Sequence, residues 1–336
     1  MNKNTLSALR VKRLLNAAVK SRVLVVGDVI LDQFLWGKVR RISPEAPVPV
    51  VEFERDSFMP GGAANVARNL TALGAGAGLF GLVGKDVEAR QLKALLKEEK
   101  VDGSGLKEVK DRSTTLKTRV VAHQQQVVRI DRETKQAGDL RVTRRLLKAV
   151  EQDIGGVDAI IVADYNKGVV TQELLAGLCG LCRSRGIWLS LDPKPAHQLD
   201  VKGFSLITPN RSELFELAGM VDEACHGNPL KDKQLLAAVK FVQDHYQPAL
   251  LLVTLSEQGM LLAQRGAKPV VIPTMAQEVY DVSGAGDTVI ASFTVAIAAG
   301  ASPLEAAFFA NHAAGVVVGK MGTATVSPKE LASSFK

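Results

Sequence analysis

The order of apolar and polar residues along the chain predicts an α/β protein. Short runs of aliphatic and β-branched residues indicate buried strands at residues 22–26, 78–83, 159–163, 187–191, 205–208 and 249–254. Apolar residues at helical spacing predict helices at residues 65–73, 87–100, 172–185, 235–245, 287–299 and 304–320. Because strands that alternate with helices form parallel sheets, we expect a central, mainly parallel sheet with helices on both faces, in three α/β/α layers.

Two stretches interrupt this alternation. In residues 34–56 and 113–131 apolar and polar positions alternate with period two, and the first stretch contains several prolines. This pattern predicts antiparallel strands on a separate small sheet, placed as a lid over an active site. Residues 1–21 are basic and weakly amphipathic, which predicts a leader helix before one domain at residues 22–330.

Composition and charge narrow the class of ligand. The chain has 336 residues, 46% of them hydrophobic, and no apolar run approaches the ~20 residues that span a bilayer. The first residues lack the apolar segment of a signal peptide, so we expect a cytoplasmic protein without a membrane partner. The net charge is +7, but the basic residues are scattered and aromatics make up only 5%. This favours an anionic small molecule over nucleic acid.

The three cysteines predict neither metal binding nor redox chemistry. Cys179 and Cys182 form a C-x-x-C pattern inside a stretch with helical periodicity, and Cys225 stands alone. A structural zinc site needs four ligands, and the sequence offers no second cysteine pair. We therefore expect small thiols that pack in the interior.

Three glycine-rich patterns are typical of phosphate binding, and this sequence offers only one of them in a suitable context. The run from Gly76 to Gly81 fits G-x-G-x-x-G, but it follows a predicted helix and leads into a strand, the reverse of a dinucleotide fingerprint. No G-x-x-x-x-G-K-[ST] run exists, which excludes a P-loop. The third pattern opens a predicted helix and consists of Gly284, Ala285, Gly286 and Asp287.

This third pattern has the physical properties of a phosphoryl-transfer site. Glycines let backbone N–H groups approach an anion closely, and a helix N-terminus adds the positive end of its dipole. Asp287, in the first turn, could accept the proton of a sugar hydroxyl while the amides stabilise the transferring phosphoryl group. An aspartate that caps a helix after a glycine turn fits the same residues equally well.

Polar residues also collect at the ends of predicted elements. Gly61, Gly62 and Asn65 open a helix, where they suit either recognition of hydroxyls or a plain tight turn. The charged residues that follow predicted strands are Asp28, Asp32, Asp164, Asp192 and Lys194. Ligands of parallel α/β sheets bind beyond the carboxyl ends of the strands, so we expect a shared crevice there. Each residue taken alone also fits a cap or a surface position.

Two of these motifs resemble the signatures of the ribokinase-like (PfkB) carbohydrate kinases. The early motif is Gly61-Gly-Ala-Ala-Asn65, and the late motif is Asp281-x-x-Gly284-Ala-Gly-Asp287-Thr288. Over about residues 20–328 the sequence is also similar to the heptose kinase branch of that family, in the runs Gly27-Asp-Val-Ile-Leu-Asp32, Arg41-Ile-Ser-Pro-Glu-Ala-Pro-Val-Pro-Val50, Gln125-Gln-Val-Val-Arg-Ile-Asp131, Asp164-Tyr-x-Lys-Gly168, Asp192-Pro-Lys194 and Thr208-Pro-Asn-x-x-Glu213.

The resemblance implies a role for each candidate residue. Asp287 would deprotonate the acceptor hydroxyl, and the anion hole for the phosphoryl group would be Gly284, Ala285 and Gly286. Mg²⁺ would be organised through Asn210 and Glu213 without a direct protein ligand, and ATP would be held by Asn210, Glu213, Ser256, Gly259 and Asn311. The sugar would contact Asp28, Asp32, Gly61, Gly62, Asn65, Asp164, Lys167, Asp192 and Lys194. Its existing phosphate would meet the lid residues Lys117, Arg119, Gln126 and Arg129.

The same resemblance implies an activity and partners. The implied reaction is ATP-dependent phosphorylation of D-glycero-D-manno-heptose 7-phosphate at the anomeric hydroxyl, toward ADP-heptose and the lipopolysaccharide core. A homodimer through the exposed lid edge and a separate adenylyltransferase that completes the pathway are also expected.

Two alternatives fit the sequence as well. One is a kinase of the same fold that acts on ribose, a fructose phosphate or a nucleoside. The other is a non-catalytic sugar-phosphate sensor, against which the intact Asp287, Asn210 and Glu213 argue.

Overall fold

The fold is given by a computed structural model, which describes residues 6–123, 125–195, 199–223, 227–276 and 278–335. Its strands are β1 (Arg22–Gly27), β2 (Val29–Ile42), β3 (Pro49–Gly62), β4 (Gly76–Val83), β5 (Asp102–Glu108), β6 (Thr115–Ala122), β7 (Gln125–Arg132), β8 (Ala159–Ala163), β9 (Trp188–Asp192), β10 (Leu206–Ile207), β11 (Leu250–Thr254), β12 (Met260–Gln264) and β13 (Val270–Ile272). Its helices are α1 (Ala8–Ala18), α2 (Ala63–Ala72), α3 (Val87–Glu98), α4 (Leu140–Gln152), α5 (Gln172–Arg185), α6 (Arg211–Ala218), α7 (Lys233–Tyr246), α8 (Ala285–Ala298), α9 (Pro303–Val317) and α10 (Pro328–Ser333). The first five residues of the expected leader helix, and Cys225, lie outside the described residues.

The central sheet confirms the expected fold class. Within the described residues it contains nine strands, in the order β13-β12-β11-β10-β9-β8-β1-β4-β5. The strands from β11 to β5 in that order run parallel, whereas β12 and β13 are antiparallel to their neighbours. The sequence pattern does not predict β5, β12 or β13. These strands lie at or next to the two edges of the sheet, and β5 has few buried positions to reveal it.

Helices cover both faces of this sheet because its central strands are apolar on both sides. Successive residues of a strand point to opposite faces. Val23 and Val25 of β1 therefore pack in one core cluster, with residues of α2, α8 and α9. Leu24 and Val26 pack in a second cluster, with residues of α4, α5, α6 and α7. The result is the three-layer arrangement that the alternating pattern predicts.

Helix α8 lies in the interior of one of these layers. Every residue from Asp287 to Ala296 is buried. Its sequence is small and apolar on all sides, as expected for a helix that is enclosed by other elements. Packing along its whole length therefore fixes the position of its first turn, where the Gly284–Asp287 pattern lies.

A second, smaller sheet contains four described strands in the order β3-β2-β6-β7, and we call it the lid sheet. Strands β2 and β3 pair antiparallel, as do β6 and β7. The expectation of purely antiparallel pairing is wrong at the centre, because β2 and β6 run parallel. Strand β2 begins two residues after β1 ends, and β3 ends at Gly62, directly before α2. The lid sheet is thus continuous with elements of the main domain.

The leader region contains α1, which packs against the carboxyl-terminal helices. Arg10 donates from Nε to Glu305 Oε1 over 2.8 Å and also bonds the carbonyl of Gly300. Within the described residues, no helix is long and apolar enough to cross a bilayer.

The G-x-G-x-x-G run and the C-x-x-C pattern lie in ordinary structural positions, as expected. Gly76 follows α2 and begins β4, so the G-x-G-x-x-G run does not open a helix. Cys182 is buried in α5, and the neighbouring Cys179 donates from Sγ to the Lys202 carbonyl over 3.5 Å.

Candidate active site

The turn before α8 is held in one conformation by the carboxylate of Asp281. Its Oδ1 accepts the N–H of Ser283 over 2.9 Å, and its Oδ2 accepts the N–H of Gly322 over 2.9 Å. Burial would raise the pKa of Asp281, but these donors hold it below its ordinary value. Gly284 then takes a left-handed conformation with φ of 76°, and α8 begins at Ala285. The turn therefore presents the amides of a helix N-terminus in a fixed orientation.

Asp287 lies in the first turn of α8 with its carboxylate bonded on both oxygens. It is only 7% exposed. Asn65 donates from Nδ2 to Oδ2 over 2.6 Å, and the hydroxyl of Tyr165 donates to Oδ1. Burial raises the pKa of Asp287, although both donors oppose the shift. A buried carboxylate with a raised pKa and oriented lone pairs has the properties of a general base.

The glycine motif at the start of α2 brings Asn65 and Asp32 close to this carboxylate. Gly62 has φ of 57° and immediately precedes the helix. A Cβ at Gly61 would lie 2.2 Å from Oδ2 of Asp32, and a Cβ at Gly62 would lie 2.6 Å from the Asp28 carbonyl. Both glycines are therefore required by close packing, and the hydroxyl recognition predicted for them stays a prediction.

The four lid residues predicted around a substrate phosphate share one face of the lid sheet. Lys117 and Arg119 on β6 are paired with Asp131 and Arg129 on β7, and Val121 with Gln126. Residues two apart on a strand point to the same face, as do directly paired residues. The face that carries Lys117 and Arg119 therefore also carries Gln126 and Arg129.

This face is turned toward the site. Arg119 donates to Oδ1 of Asp32 over 2.6 Å, and Asp32 is paired with Lys117 on the neighbouring strand. Both partners of the Asp32–Arg119 ion pair are largely buried. The lid sheet and the main domain thus meet at Asp32.

Most of the cations near this face are already neutralised by a carboxylate. Arg129 binds Asp131 over 2.9 Å, and Lys167 binds Glu133 over 2.6 Å. Lys117 differs, because no carboxylate of the described residues lies within 4.0 Å of its Nζ in an ion pair. Burial lowers the pKa of Lys117, against the opposing charge of Asp32. A half-buried ammonium without its own counter-ion is suited to bind an anionic group of a ligand.

Asp28 shapes a loop beside the site. Its carboxylate accepts three backbone N–H groups, from Tyr165, Lys167 and Val169, at 2.9 to 3.0 Å. Its side chain is fully buried. The direct sugar contact expected for Asp28 therefore stays a prediction, while its contact with the loop after β8 is explicit. In the same loop, burial raises the pKa of Asp164 to about 7.

Asn210 and Glu213 form a capping box at the start of α6. Glu213 N–H donates to Asn210 Oδ1 over 2.9 Å, and Asn210 N–H donates to Glu213 Oε2 over 3.0 Å. The other oxygen of Glu213 accepts from Lys194 Nζ over 3.1 Å. Burial raises the pKa of Asp192 well above its ordinary value, and the charges of Glu213 and Asp287 add to this.

This accumulation of carboxylates fits a magnesium-bound nucleotide. Mg²⁺ in proteins is usually held by one or two carboxylates together with water and substrate phosphates, not by a cage of protein ligands. Within the described residues, no group of three or more side chains of the metal-binding types is arranged to hold an ion. Asn210 and Glu213 are the residues that would orient the ion and its phosphates.

A cavity of about 380 Å³ adjoins the turn before α8. Its lining includes three of the predicted nucleotide residues and two of the predicted anion-hole residues, namely Ser256, Gly259, Asn311, Ala285 and Gly286. Thr254 also lines the cavity, and its backbone pairs with that of Asn210 in an isolated parallel β-bridge. The capping box therefore lies at the rim of the cavity. The cavity is mainly apolar, as a site for a flat heterocycle requires.

One hydrogen bond and one closely packed glycine shape this cavity. Asn311 donates from Nδ2 to the Pro273 carbonyl over 2.7 Å. Gly259 has φ of 83°, and a Cβ there would lie 2.1 Å from the Ile272 carbonyl. Only glycine fits this position, because any side chain would collide with the neighbouring strand.

Tyr165 is the site residue that sequence reasoning did not single out. It stands inside the run Asp164-Tyr-x-Lys-Gly168, next to a charged residue at a strand end. That position was a usable signal, but a tyrosine there fits packing as well as chemistry. Its hydrogen bond to Asp287 crosses 122 residues of sequence and follows only from the fold.

Residues 20–330 match the family model described as pfkB family carbohydrate kinase. The chain is 45% identical over 311 residues to the bifunctional protein HldE of Helicobacter pylori strain J99. This alignment covers 93% of this chain and 65% of that protein. It is 42% identical over 312 residues to the protein of the same name from Sulfurimonas denitrificans, covering 92% and 63%. The chain thus spans less than two thirds of the length of these curated relatives.

Solved structures share the fold at low sequence identity. Arabidopsis thaliana ribokinase complexed with ribose and ATP is similar with a TM-score of 0.72 and 20% identity, covering 94% of this chain and 98% of that one. Phosphofructokinase-2 from Escherichia coli in complex with substrates and products gives a TM-score of 0.75 at 20% identity, with the same coverage.

The ribokinase-like fold and the family match together define a phosphotransferase that acts on carbohydrates. The chain belongs to the pfkB family of carbohydrate kinases. The resemblance that the two glycine motifs carry is thereby confirmed, and so is the enzyme class.

Replacing Gly284 by alanine should damage both stability and activity. A Cβ there would lie 2.7 Å from Asn65 Nδ2, and the left-handed backbone disfavours any side chain. We expect the free energy of unfolding to fall by about 1–3 kcal/mol, measured by urea denaturation, and turnover to fall because Asn65 is displaced.

Gly180→Ala in α5 is the matched control. A Cβ at Gly180 meets no atom within 4 Å. This variant should be as stable as the parent or up to about 1 kcal/mol more stable. Equal stability of the Gly284→Ala variant and the parent would show that the turn tolerates a side chain.

Proposed function

We propose that the chain transfers the γ-phosphoryl group of ATP to the anomeric hydroxyl of D-glycero-D-manno-heptose 7-phosphate, with Asp287 as the general base. The observation that carries this proposal is the position of the Asp287 carboxylate. It lies at the start of α8, next to the two residues, Ala285 and Gly286, that also line the cavity. The Asn65 amide bonds the same carboxylate, and Asp32, which pairs with Arg119 of the lid sheet, interacts with it electrostatically.

The chemistry follows from this arrangement. Asp287 accepts the proton of the sugar hydroxyl as the sugar oxygen bonds to the γ-phosphorus. The bond between that phosphorus and the β,γ-bridging oxygen breaks, and ADP leaves with the bond's electron pair. The amides of the Gly284–Gly286 turn stabilise the charge on the transferring group. Bound Mg²⁺ would supply charge neutralisation at the phosphates, next to Asn210 and Glu213.

The cationic residues of the lid sheet favour a substrate that already carries a phosphate. Lys117 forms no ion pair with any carboxylate of the described ranges, and its face also carries Arg119, Gln126 and Arg129. The similarity to the HldE proteins and the heptose-kinase runs of the sequence favour the heptose among phosphorylated sugars. A separate adenylyltransferase elsewhere in the pathway and a cytoplasmic location remain predictions.

Replacing Asp287 by asparagine tests the base. The amide cannot accept the hydroxyl proton but keeps the size of the side chain. We expect kcat to fall by about 100-fold or more, the lower range for loss of a general base, with ATP affinity unchanged by calorimetry. Turnover near that of the parent enzyme would remove Asp287 from the mechanism.

A substrate panel combined with Lys117→Gln tests the sugar. The parent enzyme should show its highest kcat/KM with heptose 7-phosphate, above ribose, fructose 6-phosphate and adenosine, with the phosphorylated position read by NMR. In the variant, KM for the phosphorylated sugar should rise about tenfold, because one charged contact to the phosphate is lost.

Lys240→Gln is the control for this experiment. Lys240 is exposed on α7, where it pairs with Asp244. It should leave every KM unchanged. Preference for an unphosphorylated sugar, or an equal KM in the parent and the Lys117→Gln variant, would contradict the phosphate assignment. Absence of ADP release with every sugar would favour the sensor.

We also propose that two chains pair through their lid sheets. Strand β7 is an exposed edge, and Val128 and Ile130 on it are 47% and 56% exposed. Exposed apolar edge strands tend to pair with another strand. Light scattering should give twice the mass of one chain, and Ile130→Asp should give a monomer. Leu140→Asp, at an exposed position on α4, should remain a dimer. A monomeric parent chain in dilute solution would refute the pairing.

A further inference from the structure

Asp287 receives two hydrogen bonds from elements that are far apart in sequence. Asn65 at the start of α2 donates to Oδ2, and Tyr165 in the loop after β8 donates to Oδ1. A carboxylate has about four lone-pair positions, so two acceptor positions remain. The two donors fix the plane of the carboxylate and leave one lone pair on each oxygen for a substrate hydroxyl.

The loop that carries Tyr165 is itself fixed by hydrogen bonds to the Asp28 carboxylate. Asp28 accepts the N–H groups of Tyr165, Lys167 and Val169, so its carboxylate holds the backbone on both sides of the residue after Tyr165. Arg112 donates to the Lys167 carbonyl from the opposite side. A loop with this many backbone contacts gives the tyrosine ring little freedom to leave.

The ring of Tyr165 is also packed against the core. It lies against the cluster that includes residues of α2 and α8, the helices that carry Asn65 and Asp287. Burial and the nearby Asp287 raise the pKa of its hydroxyl well above the ordinary value. Tyr165 therefore stays protonated, and its hydroxyl can act only as a donor toward an ionised Asp287.

We propose that Tyr165 is a positioning residue for the catalytic base, because its hydroxyl holds one oxygen of Asp287 so that the remaining lone pairs face the acceptor hydroxyl of the sugar. The inference rests on the proposed role of Asp287. It assigns to Asp28 the supporting task of fixing the loop. Tyr165 takes no proton itself.

The charged groups around Asp287 come from several elements, and each affects its titration. Arg68 on α2, Asp32 on β2, Lys117 on β6 and Asp192 at the end of β9 all interact electrostatically with it. A tyrosine donor lowers the pKa of Asp287, so its removal should raise it. Since the base is active only when ionised, activity is lost as the pH falls through this pKa. Removing the donor should therefore move the acidic limb of the pH–rate profile to higher pH.

Tyr165→Phe removes only the hydroxyl oxygen. With the sugar of highest kcat/KM in the panel, we expect kcat to fall about tenfold or more, the loss expected for one hydrogen bond to a charged group. The acidic limb should move to higher pH by about one unit. KM for ATP should stay within about twofold of the parent value, and the thermal midpoint should stay within a few degrees.

A second variant keeps the shape of the side chain and strengthens the donor. It carries 3,5-difluorotyrosine at position 165, whose hydroxyl is more acidic than that of tyrosine. The acidic limb should then move to lower pH, opposite to its movement in the Tyr165→Phe variant. Tyr246→Phe is the matched control, since that hydroxyl bonds the Leu217 carbonyl over 3.4 Å, and its profile should equal that of the parent.

Three results would overturn the proposal. One is an unchanged kcat in the Tyr165→Phe variant. Another is a lower kcat with the acidic limb in place, which indicates a purely structural role. A third is a lower KM for the sugar at unchanged kcat, which indicates that the hydroxyl occupies the place of the substrate.

The outcome with Asp287→Asn separates this inference from the proposed function. If Asp287→Asn is inactive while Tyr165→Phe behaves as the parent, only the role of Tyr165 fails. If Asp287→Asn is active, the base assignment fails first. In the double variant, Tyr165→Phe should cause no further loss beyond Asp287→Asn, because the tyrosine acts through that carboxylate.

Discussion

The site depends on a buried carboxylate that forms no ion pair within the described residues. Asp287 is compensated by an amide and a hydroxyl, not by an ion pair. A salt bridge would stabilise the ionised form more strongly and lower its basicity. Neutral donors let burial keep the pKa raised, which is what a proton acceptor requires. The surrounding elements can be understood as the means of holding this one group in place.

Three elements meet at this carboxylate, and each is fixed by different physics. Helix α8 is fixed by packing, because it is buried from Asp287 to Ala296. The start of α2 is fixed by close approach of the glycine backbone to Asp32 and Asp28. The loop after β8 is fixed by hydrogen bonds to Asp28. The second and third constraints both involve Asp28, so a change at that residue would affect the start of α2 and the loop together.

The sequence predicts the parts of this structure that have a strong local signal. Strand β8 is found at the predicted residues because five consecutive apolar residues allow little else. The hairpin β12–β13 has a weaker signal, because β12 contains no β-branched residue and β13 has only three residues, one of them buried. The sequence alone does not show that Lys117, Arg119, Gln126 and Arg129 share one face of the lid sheet, because this depends on the register between β6 and β7. The hydrogen bond from Tyr165 to Asp287 and the loop contacts of Asp28 are long-range, so they follow only from the fold.

The hairpin β2–β3 is joined to the main domain by very short connections. Strand β2 begins two residues after β1 ends at Gly27, and β3 runs directly into α2, so the same backbone carries Asp32, Asn65 and the far tip of the hairpin. A long stiff hairpin of this kind behaves as a lever arm. Any displacement at its outer end is transmitted to the amide that touches the catalytic carboxylate. If Asp287 is the base, binding of a sugar under the hairpin and alignment of that base would be one mechanical event, and a substitution far out on the hairpin would slow the chemical step.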